Sequence, residues 1–76
     1  MKPLQKVILR ILEEQDFPMD QFEVIQELKR REESMGHDGP SFMDCLQAVH
    51  DLVTQNLLVQ SGRCLAINDA GKESIR

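Results

Sequence analysis

Up to Gln55 the apolar residues recur at helical spacing, and from Leu57 to Ile67 they do not. That change of period constrains the fold more than any other feature, because spacings of 3.6 and 2 residues belong to helices and strands respectively. Leu4, Val7, Ile8, Ile11 and Leu12 fall at i, i+3, i+4, i+7 and i+8 on one face of a first helix, with Pro3 suited to its first turn. Leu9 is the one large aliphatic residue off that stripe and is expected to be exposed. Lys2, Lys6 and Arg10 form a separate solvated ridge. The segment Asp16-Phe17-Pro18-Met19 stops the helix, since Pro18 biases Phe17 to extended geometry. Asp20 then caps a second helix, with Glu23 at its third position and Met19 placed to pack against Val24. Phe22, Val24, Ile25 and Leu28 are its expected buried set, and Lys29, Arg30 and Arg31 lie in its last turns, where the helix dipole favours cations.

Gly36-His37-Asp38-Gly39-Pro40 reads as a connector, and Ser41 caps a third helix with Asp44 in its first turn. Phe42, Cys45, Leu46, Val49, Leu52 and Val53 make the expected buried stripe of that helix. Asp44, Gln47, Asp51, Thr54 and Gln55 fall on the opposite side. Asn56 suits a left-handed terminator. Beyond it, Leu57 to Gln60 and Arg63 to Ile67 read as two strands around a Ser61-Gly62 turn. Asn68 can cap a last helix, Asp69 to Arg76, whose Ile75 returns to the core. The expectation is a single domain over residues 1–76, mainly α with a small β-hairpin.

This order of elements resembles a winged helix-turn-helix. The segment Leu52-Val53-Thr54-Gln55-Asn56-Leu57-Leu58-Val59 is similar to the end of the third helix in MarR-like and PadR-like proteins, with Asn56 where Gly often stands. Leu65-Ala66-Ile67-Asn68-Asp69-Ala70-Gly71 is similar to the segment that follows the wing, with Asn68 in the place of a capping Thr. The resemblance covers nearly the whole chain in element order, but its sharp motif covers only Leu52 to Gly71 and records how a wing is attached to a helix. It implies three helices, a hairpin wing and a short C-terminal helix. It also implies a DNA-binding transcriptional regulator that reads double-stranded DNA with its third helix. The base-reading positions carried over are Ser41, Met43, Asp44 and Gln47, with Arg63 at the wing and Lys29, Arg30 and Arg31 as phosphate contacts. Gln47 can pair with adenine and Asp44 can accept from the cytosine amino group. Each also has a plain role, Asp44 as a helix-start acid, Gln47 as a solvated residue and Arg63 as hairpin punctuation.

Charge runs against that expectation. From Glu32 to Gly62, 31 consecutive residues hold no Lys or Arg and five acids, while the rest of the chain carries nine bases and eight acids. Phosphate neutralisation supplies much of the affinity for DNA, and the base-free stretch covers the third helix. The alternative is a protein-interaction adaptor of the same fold. Its acidic third-helix face would dock on a basic protein partner, or Leu9 and Met43 would contribute apolar anchors. A 76-residue chain buries only about 60% of its unfolded surface, so association as a homodimer is expected to help it. Recognised regulators carry further helices for dimerisation, whereas this chain stops at Arg76.

No cofactor, metal or catalysis is expected. Cys45 and His50 point about 140° apart on a helix, and no Cys-x-x-Cys or His-x-x-x-His spacing occurs. Cys45 and Cys64 read as buried, inert thiols, close together if both line the core; His37 reads as exposed and His50 as flanking the buried stripe. There is no phosphate loop and no Gly-x-Ser-x-Gly, and so small a core leaves scant room for a pocket of a few hundred Å³. No apolar run reaches the roughly 18 residues of a membrane span, and the N-terminus lacks the features of a signal peptide, so a cytoplasmic location without membrane contact is expected.

Overall fold

A computed structural model describes residues 2–15, 17–36 and 39–76. The elements in chain order are α1 (Pro3–Gln15), β1 (Met19–Asp20), α2 (Gln21–Ser34), α3 (Phe42–Thr54), β2 (Leu58–Ser61), β3 (Cys64–Ile67) and α4 (Asp69–Ser74). The expectations for Asp16, His37 and Asp38 lie outside the described residues. The molecule is mainly helical with a small antiparallel sheet of order β1-β3-β2. The first strand is absent from the sequence reading. It has two residues, pairs Met19 with Leu65 and Asp20 with Cys64, and owes its existence to a strand more than forty positions away. No helix among the described residues is long and apolar enough to cross a membrane.

The helix caps form as their side chains dictate. Asp20 accepts from the Phe22 N–H at 2.8 Å, Ser41 from Asp44 at 3.1 Å and Asn68 from Gly71 at 2.8 Å. Asn56 ends α3 at φ 61°, with the Leu57 N–H donating to the Leu52 carbonyl at 3.0 Å and the Asn56 N–H to Val53 at 3.0 Å. Those two bonds satisfy carbonyls that the helix end would otherwise leave open. The Asn68 amide donates to the Asn56 carbonyl at 2.6 Å, so the end of α3 and the start of α4 are tied together. Gly71 packs so close to the Leu57 carbonyl that any Cβ there would collide with backbone. The segment Leu52 to Gly71 is thus a packing device that joins α3, the hairpin and α4. The hairpin itself is shifted by one residue from expectation. Ser61 pairs with Cys64, so the turn residues are Gly62, at φ 61°, and Arg63.

Helix α1 packs against α2, α3, β3 and α4, and this central position explains the largest change in the core. Leu9, expected outside, is fully buried along with Ile8, Ile11 and Leu12. It therefore cannot serve as an exposed anchor. A helix with neighbours on several sides buries a face wider than one stripe. From α2 and α3 the core takes Val24, Ile25, Leu28, Cys45, Ala48, Val49 and Leu52, and from the sheet Met19, Leu58 and Leu65. Leu46, Val53 and Ile75 pack against it from the edge. Phe22 and Phe42 depart from their expected buried stripes, each remaining 42% exposed. Both stand in the first turn of their helices, at the rim of the layer, where their rings stack 5.9 Å apart and within 9° of parallel. Helix α4 ends at Ser74 instead of Arg76.

Candidate functional site

The cations carried over as phosphate contacts fall into two groups, and the chain's own carboxylates engage most of them. Arg30 holds Glu27 in a two-pronged contact, Nε to Oε2 at 3.0 Å and Nη2 to Oε1 at 2.5 Å. Arg31 donates from Nε to Glu27 at 2.9 Å and from Nη2 to Glu14 at 2.5 Å, fastening the end of α1 to α2. Hydrogen bonds from Arg30 and then Arg31 lower the Glu27 pKa to about 2. Their side chains are 67% and 27% exposed, so Arg30 is screened by water while Arg31 is the more enclosed link. Lys29 is half-buried and forms no ion pair among the described residues; its charge is felt at the Cys45 thiol. Arg63, at the hairpin turn, leans back onto the domain. Its Nε stands 3.6 Å from Asp20 Oδ2 and its guanidinium carbon 6.0 Å from the Phe22 ring centre.

The positions carried over as base readers gather at the start of α3. Ser41 spends its hydroxyl oxygen on the Asp44 N–H, while Met43 is the most exposed large apolar side chain of the described residues at 71%. Gln47 donates to Asp51 at 2.9 Å, one turn along the same helix. Asp44, Gln47 and Asp51 do not stand on a bare convex face. Together with Ala48 they form one wall of a groove of about 340 Å³, whose other wall is Lys2, Pro3, Leu4 and Gln5 at the start of α1. Asp51 is half-buried there, and Asp44 is exposed without an ion pair among the described residues. A second depression of about 290 Å³ lies against α3, β2 and the start of α2, with the exposed His50 and apolar Leu46, Val49 and Val53 in its lining. The expectation that so small a core leaves scant room for pockets of a few hundred Å³ is therefore corrected. Helices meeting at their ends leave clefts between them even when the core is filled.

Gln5 is a residue of the groove that the sequence analysis did not single out. It is only 4% exposed, yet its amide makes no hydrogen bond among the described residues. No side-chain nitrogen or oxygen in the described residues is both sealed from solvent and unpaired, so the Gln5 amide keeps some contact with solvent, and Gln5 lines the groove. A signal was present. Gln5, Ile8, Leu9 and Leu12 share a spacing of i, i+3, i+4 and i+7, which places a polar residue and the supposedly exposed Leu9 on one inward face.

The cysteines divide. Cys45 is fully buried, and desolvation pushes its thiol pKa up, which keeps it neutral and unreactive. Cys64 is exposed on β3, contrary to the expectation of a second buried thiol. Alternate residues of a strand face opposite ways, and it is Leu65 that points inward. Among the described residues, no group of three or more His, Cys, Asp or Glu is placed to hold a metal ion. Comparison with family models, curated proteins and solved structures gives no match to this chain.

Proposed function

We propose that this chain is a winged-helix domain that works by protein contact, presenting the acidic face of α3 to a basic partner. The order α1, β1, α2, α3, β2, β3, with the sheet arranged β1-β3-β2, supports the winged-helix reading. The observation that carries the contact reading is the distribution of charge. Asp44 and Asp51 line the α3 groove, whereas Arg30 and Arg31 are held by Glu27 and Glu14, and Arg63 by Asp20 and Phe22. A phosphate backbone brought to α3 would meet carboxylates first. A basic protein surface would find them complementary, with Met43 beside them as an apolar anchor. Reading of double-stranded DNA by Ser41, Met43, Asp44 and Gln47 would draw its phosphate contacts from Arg30, Arg31 and Arg63, whose charges are already offset by these partners.

Two measurements test the proposal. Binding to random duplex DNA is expected to be undetectable at about 50 mM salt, where even a few phosphate contacts give measurable affinity. Partners co-purified from extract are expected to be lost on combining Asp44→Lys with Asp51→Lys. Tight duplex binding at that salt, or a partner set unchanged by the double substitution, overturns the reading.

A further inference from the structure

We propose that the groove between α1 and α3 receives an arginine side chain of the partner protein. The inference rests on the acidic-face reading above and names what that face grips. Three features of the groove meet the three parts of an arginine. Pro3, Leu4 and Ala48 give it an apolar lining, against which a run of methylenes can lie. Asp44 and Asp51 supply carboxylates on the α3 side. Gln5, a residue only 4% exposed whose amide has no hydrogen-bond partner among the described residues, supplies an acceptor on the α1 side. Gln47 already donates to one Asp51 oxygen, which restrains the carboxylate and leaves its other oxygen without a side-chain donor among the described residues.

A guanidinium carries five N–H donors in a planar fork and no acceptor, so it can satisfy acceptors on two walls at once. An ammonium has three donors around a point and is more strongly hydrated, so lysine fits the same space less well. An apolar side chain would leave the Gln5 amide unpaired and shut the carboxylates from water. A phosphate would be repelled. Lys2, exposed on the rim and without an ion pair among the described residues, adds one positive charge against the two carboxylates. It therefore weakens the site without cancelling it.

The test is a nuclear magnetic resonance titration of the full chain with the capped peptide acetyl-Ala-Ala-Arg-Ala-Ala-amide, beside versions carrying lysine or norleucine in place of arginine. Saturable shifts are expected at Gln5, Asp44, Ala48 and Asp51, with the lysine peptide about threefold weaker and the norleucine peptide about tenfold weaker. Asp51→Asn and Gln5→Leu are each expected to weaken the arginine peptide about threefold, and Lys2→Gln to tighten it by a similar factor. Both weakening variants should keep the dispersed spectrum of the folded chain, so loss of binding is not loss of fold. Equal affinity for norleucine and arginine peptides, shifts that never saturate, or shifts centred away from the groove overturn the proposal. If the arginine peptide fails while Asp44→Lys with Asp51→Lys still abolishes partner capture, the groove assignment falls and the acidic-face reading stands. If the peptide binds at the groove while the double variant keeps every partner, the acidic-face reading falls instead.

Discussion

Two charged regions of this molecule differ in how their charges are paired. At the end of α1 and along α2, Glu14 and Glu27 meet Arg30 and Arg31, and the ion pairs close within the chain. Along α3, Asp44 and Asp51 face a groove whose one cation, Lys2, pairs with neither among the described residues. The first region fastens two helices. The second forms no ion pair among the described residues, and in the proposed reading its charge is available to another molecule. Net charge alone cannot separate the two cases, because a paired acid and a waiting acid count the same.

The contrast can be broken at several points, and the shared core sets the scale. Leu9→Ala, in the helix that both regions border, is expected to cost about 2–5 kcal/mol by denaturant unfolding, the range for truncating a buried leucine. A loss under about 0.5 kcal/mol would put Leu9 back on the surface, where substitutions usually have effects that small. Gly71→Ala is expected to cost about 1–3 kcal/mol, since its methyl group would meet the Leu57 backbone. Unchanged thermal stability of that variant would show that α4 can shift freely. Arg31→Met removes the link between Glu14 and Glu27 and is expected to cost on the order of 1 kcal/mol, with partner capture unaffected.

The pH dependence separates the regions further. Glu27 has its pKa lowered in the folded state to about 2, from an ordinary value of 4.5. Its ion pairs therefore stabilise the protein above pH 4.5, and that contribution is lost as pH falls toward 2. Partial exposure of Glu27 and Arg30 reduces the effect to on the order of 1 kcal/mol. In Glu27→Gln the stability lost between these limits should be smaller by that amount; an identical acid limb would remove Glu27 from the account. Smallest of all is Asp51→Asn, expected to leave stability within about 0.5 kcal/mol while reducing partner affinity. A large loss of stability there would make the groove acid structural and erase the contrast between the regions.

Local chemistry was legible from the sequence wherever the cause was local. Asp20, Ser41 and Asn68 cap the helices that follow them, and Asn56 adopts the left-handed conformation read for it, because each acts through bonds to residues within a few positions. The stripe Ile8, Ile11 and Leu12 is buried for the same kind of reason. Where the cause is distant, the reading stopped. Phe22 and Phe42 were placed inside by their spacing, yet they stack on each other at the rim. Of the residues carried over to α3, Asp44 and Gln47 line a groove, but Gln5, which completes it with them, comes from α1.

By itself, then, the sequence determined the helices, their caps, the presence of a hairpin and the lack of bases from Glu32 to Gly62. These depend on periodicity, side-chain chemistry and counting. Only the tertiary structure decided that Leu9 is core, that Met19 and Asp20 form a third strand, that the turn is Gly62-Arg63, and that Arg31 answers Glu14 across two helices. It also decided that Asp44 and Asp51 line one cleft with Gln5 of α1. Burial and pairing are properties of two surfaces that meet, and no single segment carries the information about which surface it will find.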